Sequence, residues 1–148
     1  MINKNFITSL ITKTNTNLLS TSILLLRCSV GIILFTVGSG KIFGWFGGLG
    51  METTVKLFVT KQGFSPLLAY MSSYTEFIGG FLLIIGLLTR PAAFAVMINM
   101  IVAGIVSLPR GLITGAAYPF SLMISALIIQ LAGPMRFSLD SLLFRVSK

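Results

Sequence analysis

Four stretches of the chain, residues 19–43, 66–88, 91–109 and 116–133, are continuously apolar and almost free of charge. Each approaches the roughly 20 residues that a helix rising about 1.5 Å per residue needs to cross a bilayer. A transmembrane barrel would need at least about eight short segments of alternating polarity, which continuous runs do not supply. The rest of the chain agrees, since only 9% of its 148 residues are charged, against roughly 25% in a soluble domain. The expected fold class is all-α, an integral membrane four-helix bundle forming a single domain over 19–143. A polar or interfacial leader at 1–18 precedes it and a short tail at 144–148 follows.

Residues 38–50 read GSGKIFGWFGGLG and invite comparison with a phosphate-binding loop. The comparison fails: Phe35 stands where the first loop glycine belongs, and Ile42 follows Lys41 where a magnesium-binding hydroxyl is required. A dinucleotide fingerprint starting at Gly38 fails at Phe43. The stretch reads instead as the exit of the first span at the membrane interface. Lys41 reaches for headgroups, Trp45 and Phe46 anchor in the interface, and Gly44, Gly47 and Gly48 let the chain turn. Residues 51–62 then carry Met51, Val55 and Phe58 on one side, as in a short helix lying flat, ended by Gly63. Ser65 and Pro66 cap the second span, Thr89-Arg90-Pro91 leads into the third, and Pro109 marks its far end.

The first run is too long for a cleavable signal and follows the polar stretch KTNTN, so the N-terminus is expected to stay on the protein. Within the leader, Phe6, Ile7, Leu10 and Ile11 recur at helical spacing, as in a surface helix, with a disordered tail as the alternative. The net charge of +8 comes from basic residues spread along the chain, which argues against nucleic acid and for anionic lipid headgroups. Four spans put both termini on one side. Lys4, Lys13, Arg90, Arg136, Arg145 and Lys148 then face Lys41, Lys56, Lys61 and Arg110 on the other, a bias toward cytoplasmic ends.

No histidine, one cysteine (Cys28) and three acids (Glu52, Glu76 and Asp140) leave no zinc site, no histidine-ligated haem and no dithiol chemistry within one chain. Cys28 reads as a small apolar filler. No metal is expected and no catalytic residue is identified; electron transfer would need an organic cofactor such as a quinone, or a partner protein.

Inside the spans the polar residues stand out. Arg27 lies about eight residues into the first, roughly 12 Å deep, where an arginine costs about 2.5–3.5 kcal/mol unless it is partnered. Glu76 comes out at roughly 18 Å, and Asn99 and Ser125 near 12 Å, by the same count. Arg27, Glu76, Asn99 and Ser125 are therefore expected to form one buried polar cluster with a direct Arg27–Glu76 pair. Small residues share these faces: Gly31 and Gly38 with Arg27, Ala69, Ser72, Ser73, Gly79 and Gly80 with Glu76, and Ala92, Ala95 and Ala103 with Asn99. The pair can serve to hold the bundle in register or to form a ligand or proton site, with an Arg27 that merely snorkels to the surface as the remaining alternative.

The fragments LLLRCSVGIILFTVGSGKIFGWFGGLG, SSYTEFIGGFLLIIGLLTRPAA and LAGPMRFSLDSLL occur in this order over about residues 22–143. With Arg27, Glu76, Leu88-Thr89-Arg90 and Arg136-Phe137-Ser138-Leu139-Asp140 they make the chain resemble the DoxX family of small bacterial inner-membrane proteins. Many members carry an acidic residue before the Tyr-Pro opening the last helix; here Ala117 precedes Tyr118-Pro119. The resemblance implies a multi-pass inner-membrane protein acting as an accessory or anchoring subunit of a membrane oxidoreductase assembly, with an oxidoreductase or antioxidant protein as partner. A quinone-linked component is the alternative, with Arg27, Asn99 and Tyr74 bonding a quinone carbonyl. Transport of a proton or small solute through Glu76 is a third reading. Homo-oligomerisation is left open.

Overall fold

A computed structural model describes residues 16–143. The surface helix considered for Phe6 to Ile11 and the tail at 144–148 lie outside the described residues. The helices are α1 (Thr16–Phe43), α2 (Gly50–Gln62), α3 (Pro66–Ile85), α4 (Thr89–Ser107), α5 (Ala117–Ala132) and α6 (Leu139–Leu143). Tight helical turns at Trp45–Gly47 and Leu108–Arg110 and a wider π-helical turn at Leu112–Ala116 lie between them. No strand occurs among the described residues. Four segments, Thr16–Phe43, Pro66–Ile85, Thr89–Arg110 and Leu112–Ala132, are long and apolar enough to cross a membrane. The protein is an all-helical multi-pass membrane bundle, with α2 as the short helix between the first two spans.

Local sequence sets the ends of the spans. Ser65 Oγ accepts the Leu67 amide with Pro66 in the first turn of α3, which satisfies a donor that has no partner within the helix. At the other end Gly86 takes the left-handed conformation, φ 71, and closes the helix.

Lipid gives helices no hydrophobic reason to associate, so they pair where their backbones can come close. The contact of α1 with α3 is of this kind. A Cβ on Gly80 would lie 2.5 Å from Phe35 N, and one on Gly31 2.8 Å from the Gly80 carbonyl oxygen. Gly38 meets the backbone of Glu76 and Phe77 in the same way, and Phe35 stacks on Phe77 with ring centroids 4.9 Å apart. Val30, Leu34, Leu83, Ala93, Val96 and Ile129 fill the centre of the bundle.

The face expected to pack on α4 does not do so. Ala92 is buried, but Ala95 is exposed and Asn99 and Ala103 are half-buried. The helix instead buries Ala93, Val96, Met100 and Gly104, a rotation that turns Ala95, Asn99 and Ala103 onto the wall of a cavity.

Candidate functional site

The structure separates the expected polar cluster into two sites, one at the end of the bundle that holds Arg27 and one at mid-depth around Glu76. Arg27, 2% exposed, donates from Nη1 to the Pro134 carbonyl at 3.2 Å and from Nη2 to the Phe137 carbonyl at 2.6 Å. Its guanidinium also lies against the end of α3, since a Cβ on Gly86 would sit 2.7 Å from Nη1. Glu76 is ten residues earlier on α3, about 15 Å along its axis, and the expected Arg27–Glu76 pair is not formed. Counting depth from residue 19 misplaces Arg27, because α1 runs on past the end of α3, so that Arg27 lies level with Gly86, and residues 133–143 fold back over this end. The partners of Arg27 are backbone carbonyls, which no residue type announces.

Asp140 completes this end. Its two carboxylate oxygens accept the Leu88 and Thr89 amides at 2.7 and 2.8 Å, and its own N–H donates to the Gly86 carbonyl at 3.0 Å. Leu88, at the start of α4 with φ 49, makes no side-chain cap; the Asp140 carboxylate caps the helix from a distant part of the chain. Burial pushes the Asp140 carboxyl up, but the Thr89 and Leu88 donors and the Arg27 charge draw it down further, below the usual carboxylate range. Arg136 extends the clasp by donating to Asn17 Oδ1 at 2.7 Å.

At the other end Lys41, expected to point at headgroups, turns inward and meets Glu76. Nζ lies 2.7 Å from both carboxylate oxygens: it donates to Oε1, and Oε2 is in ion-pair contact. The Glu76 side chain is 4% exposed and that of Lys41 27%. The pair borders a cavity of about 400 Å³ among α2, α3 and α4, lined by Phe58, Phe64, Met71, Asn99, Val102 and Arg110 as well as by the pair. Asn99 also makes a long contact, 3.5 Å, to the Ser72 carbonyl. Ser125 takes no part, since its hydroxyl donates to the Ser121 carbonyl in its own helix at 2.8 Å. Tyr74 is exposed to the surroundings of the bundle and is not in the cavity wall. Among the described residues no group of three or more His, Cys, Asp or Glu side chains could hold a metal ion.

The glycine-rich exit of α1 holds Lys41 in this position. Gly40 and Gly48 cross backbone on backbone, Gly44 turns with φ 74, and Thr54 Oγ1, buried under the elbow, lies 3.4 Å from the Lys41 carbonyl. Phe43 packs between Trp45 and Phe77, at centroid distances of 4.8 and 5.5 Å.

The sequence model of the DoxX family matches residues 22–109, which carry Arg27, the elbow, Lys41, Glu76 and Asn99. The chain belongs to the DoxX family. A curated relative from Bacillus subtilis (strain 168), named "Putative oxidoreductase CatD", is 32% identical over 126 residues, covering 84% of this chain and 89% of that protein. No solved structure matches this DoxX protein. Reading the sequence missed Lys41 as the partner of Glu76 and Asp140 as a cap. The first had a signal: with Gly38 set against the Glu76 end of α3 and Gly31 against Gly80, Lys41 falls within a turn of Glu76, and Arg27 falls at the end of α3.

Proposed function

We propose that this DoxX protein is the membrane subunit of a bacterial inner-membrane redox assembly, and that it contributes a quinone site in the half of the bundle away from its termini. The observation that carries this reading is the Lys41–Glu76 pair bordering an otherwise largely apolar cavity with Asn99 in its wall. A cavity of about 400 Å³ lies within the roughly 300–1,000 Å³ range of small-molecule sites, which are mostly apolar with a few convergent polar groups. These residues fit a ring with two oxygens. Lys41 Nζ and Asn99 Nδ2 are donors for a carbonyl, and Glu76 can accept a proton or return one. A bound quinone would supply two-electron chemistry that no side chain here can perform. Arg27 has no part in this site, because it is spent on carbonyls at the other end.

The relative's name supports a redox setting, and the lack of histidine and of a second cysteine supports electron delivery by a partner oxidoreductase or antioxidant protein. The clasp of Arg27, Asp140 and residues 133–143 covers the opposite end, which favours a dead-end site over a path for solute. The basic residues near the termini support cytoplasmic ends, so that the cavity belongs to the outer half.

The test is organic extraction of the protein purified in mild detergent, with an ultraviolet spectrum before and after borohydride and identification of co-purifying proteins. A reducible quinone in the extract together with a redox partner is expected. Protein that carries no quinone, takes up none when it is added, and purifies alone overturns the reading.

A further inference from the structure

A second cavity, of about 360 Å³, lies between α2, the elbow and α1. Its lining includes Val37, Trp45, Phe46, Leu49 and Leu57. Lys41, Phe58 and Gln62 line both cavities. The partition between them is therefore one lysine that is already engaged with Glu76, one aromatic ring and one flexible amide. The two spaces differ in character. The larger holds the carboxylate, the Asn99 amide and Arg110; in the smaller, Lys41 is the only charged residue, and the rest are apolar side chains, glycines, threonines and Gln62. The helix over the partition is lightly held, with Thr54 its only buried residue.

We propose that the two cavities form one bipartite site for a prenyl-tailed quinone, with the ring at Lys41, Glu76 and Asn99 and the tail passing beneath α2 into the Trp45–Leu57 cavity. This rests on the quinone reading above and adds the substrate class: a long-tailed membrane quinone rather than a free, water-soluble one. A ring alone leaves the smaller cavity unfilled, and burying tail carbons there adds affinity in proportion to their number. Phe58 and Gln62 become selectivity residues, because the tail must pass between them.

The experiment measures binding to purified full-length protein, at one detergent concentration, of a tail-free benzoquinone and of the same ring bearing two isoprene units. Leu57→Trp fills the smaller cavity and leaves the larger unchanged; Val37→Phe is a second variant of the same design, and Ala103→Phe fills the ring cavity. Tail-bearing ligand should bind wild type about tenfold more tightly than tail-free ligand, and Leu57→Trp or Val37→Phe should remove most of that advantage while leaving tail-free binding within about twofold. Ala103→Phe should weaken both ligands. Partitioning into micelles is common to all variants and cancels in the comparison. A tail advantage that persists in both cavity-filling variants means that the tail lies in lipid and overturns the bipartite site while leaving the ring site standing. Failure of both ligands to bind wild type overturns the quinone reading and the bipartite site together.

Discussion

Lys41 Nζ lies 2.7 Å from both carboxylate oxygens of Glu76, and it reaches them across the glycine contact of α1 with α3. The two partners are unequally buried, 27% and 4% exposed at their side chains, so the two single substitutions are predicted to differ. Lys41→Met strands a carboxylate in a low-dielectric interior and should cost about 3 kcal/mol, toward the lower end of the range for breaking a buried pair. Glu76→Gln leaves a lysine that can swing to water or headgroups and should cost less. Lys41→Met with Glu76→Leu should recover most of the loss, read as thermal unfolding in detergent. A double variant no better than Lys41→Met would show that the pair does not act as a unit.

Arg27 should be energetically independent of Glu76, because about 15 Å of helix separates the two sites and distant sites add to within about 0.5 kcal/mol. Arg27→Met and Glu76→Gln together should therefore give the sum of the single effects. Arg27→Lys should fail to restore wild-type stability, since one ammonium does not reproduce a planar fork reaching both Pro134 and Phe137 carbonyls. A double-mutant cycle with strong coupling would contradict the separation.

Asp140→Ala removes both acceptors at the start of α4 and should destabilise by about 1–2 kcal/mol, the usual cost of losing an N-cap. Its effect should be local, seen as faster amide exchange at Leu88 and Thr89 and faster proteolysis after Arg136. Unchanged exchange at both amides would mean that they have another acceptor.

The clasp should also respond to acid. Asp140 is held below its ordinary value of 3.8 in the folded protein, so it contributes stability that is present in full above the unfolded value and is lost as pH falls through the folded one. Cleavage at the exposed Phe137 by an acid protease should accelerate below about pH 4 relative to an unfolded control peptide, and Asp140→Asn should flatten that dependence. An equal acid response in the variant would assign it to other groups.

Gly80→Ala should separate α1 from α3, because its methyl would lie 2.5 Å from Phe35 N, a backbone atom that cannot step aside. A loss of about 1–3 kcal/mol is expected from such overpacking. Gly47→Ala, with nothing within 4 Å of the added carbon but φ 78, should cost roughly 1 kcal/mol through backbone strain alone. If the two variants melted together, close helix approach would not be what α1 and α3 depend on.

The spans were legible in the sequence because length and hydropathy set them directly, and so was the α1–α3 contact, because Gly31, Gly38 and Gly80 fall at helical spacing on facing helices. The rotation of α4 was not legible: Ala92, Ala95, Asn99 and Ala103 form as good a small-residue stripe as Ala93, Val96, Met100 and Gly104, and only the position of α5 decides between them. Arg27 was legible as a residue needing partners, but carbonyls at 134 and 137 became available only through the fold-back of residues 133–143. Lys41 looked like an interfacial lysine because the aromatics and glycines that follow it suit the membrane surface, and its partnership with Glu76 shows only once Gly38 is set against Glu76 and Phe77. Asp140 was visible within a family motif, yet its role as the cap of α4 depends on a contact across about fifty residues of chain.

The central claim, a quinone held at the Lys41–Glu76 cavity, is tested most directly by the fluorescence of Trp45, the only tryptophan in the chain, which lines the adjoining cavity. Quinones quench nearby indoles, so titration of the purified protein reports on this region alone. The account predicts saturable quenching in the wild type and, in Lys41→Met/Glu76→Leu, only the linear loss expected from quinone dissolved in the micelle. Linear quenching in the wild type, or equal saturation in the double variant, would contradict it.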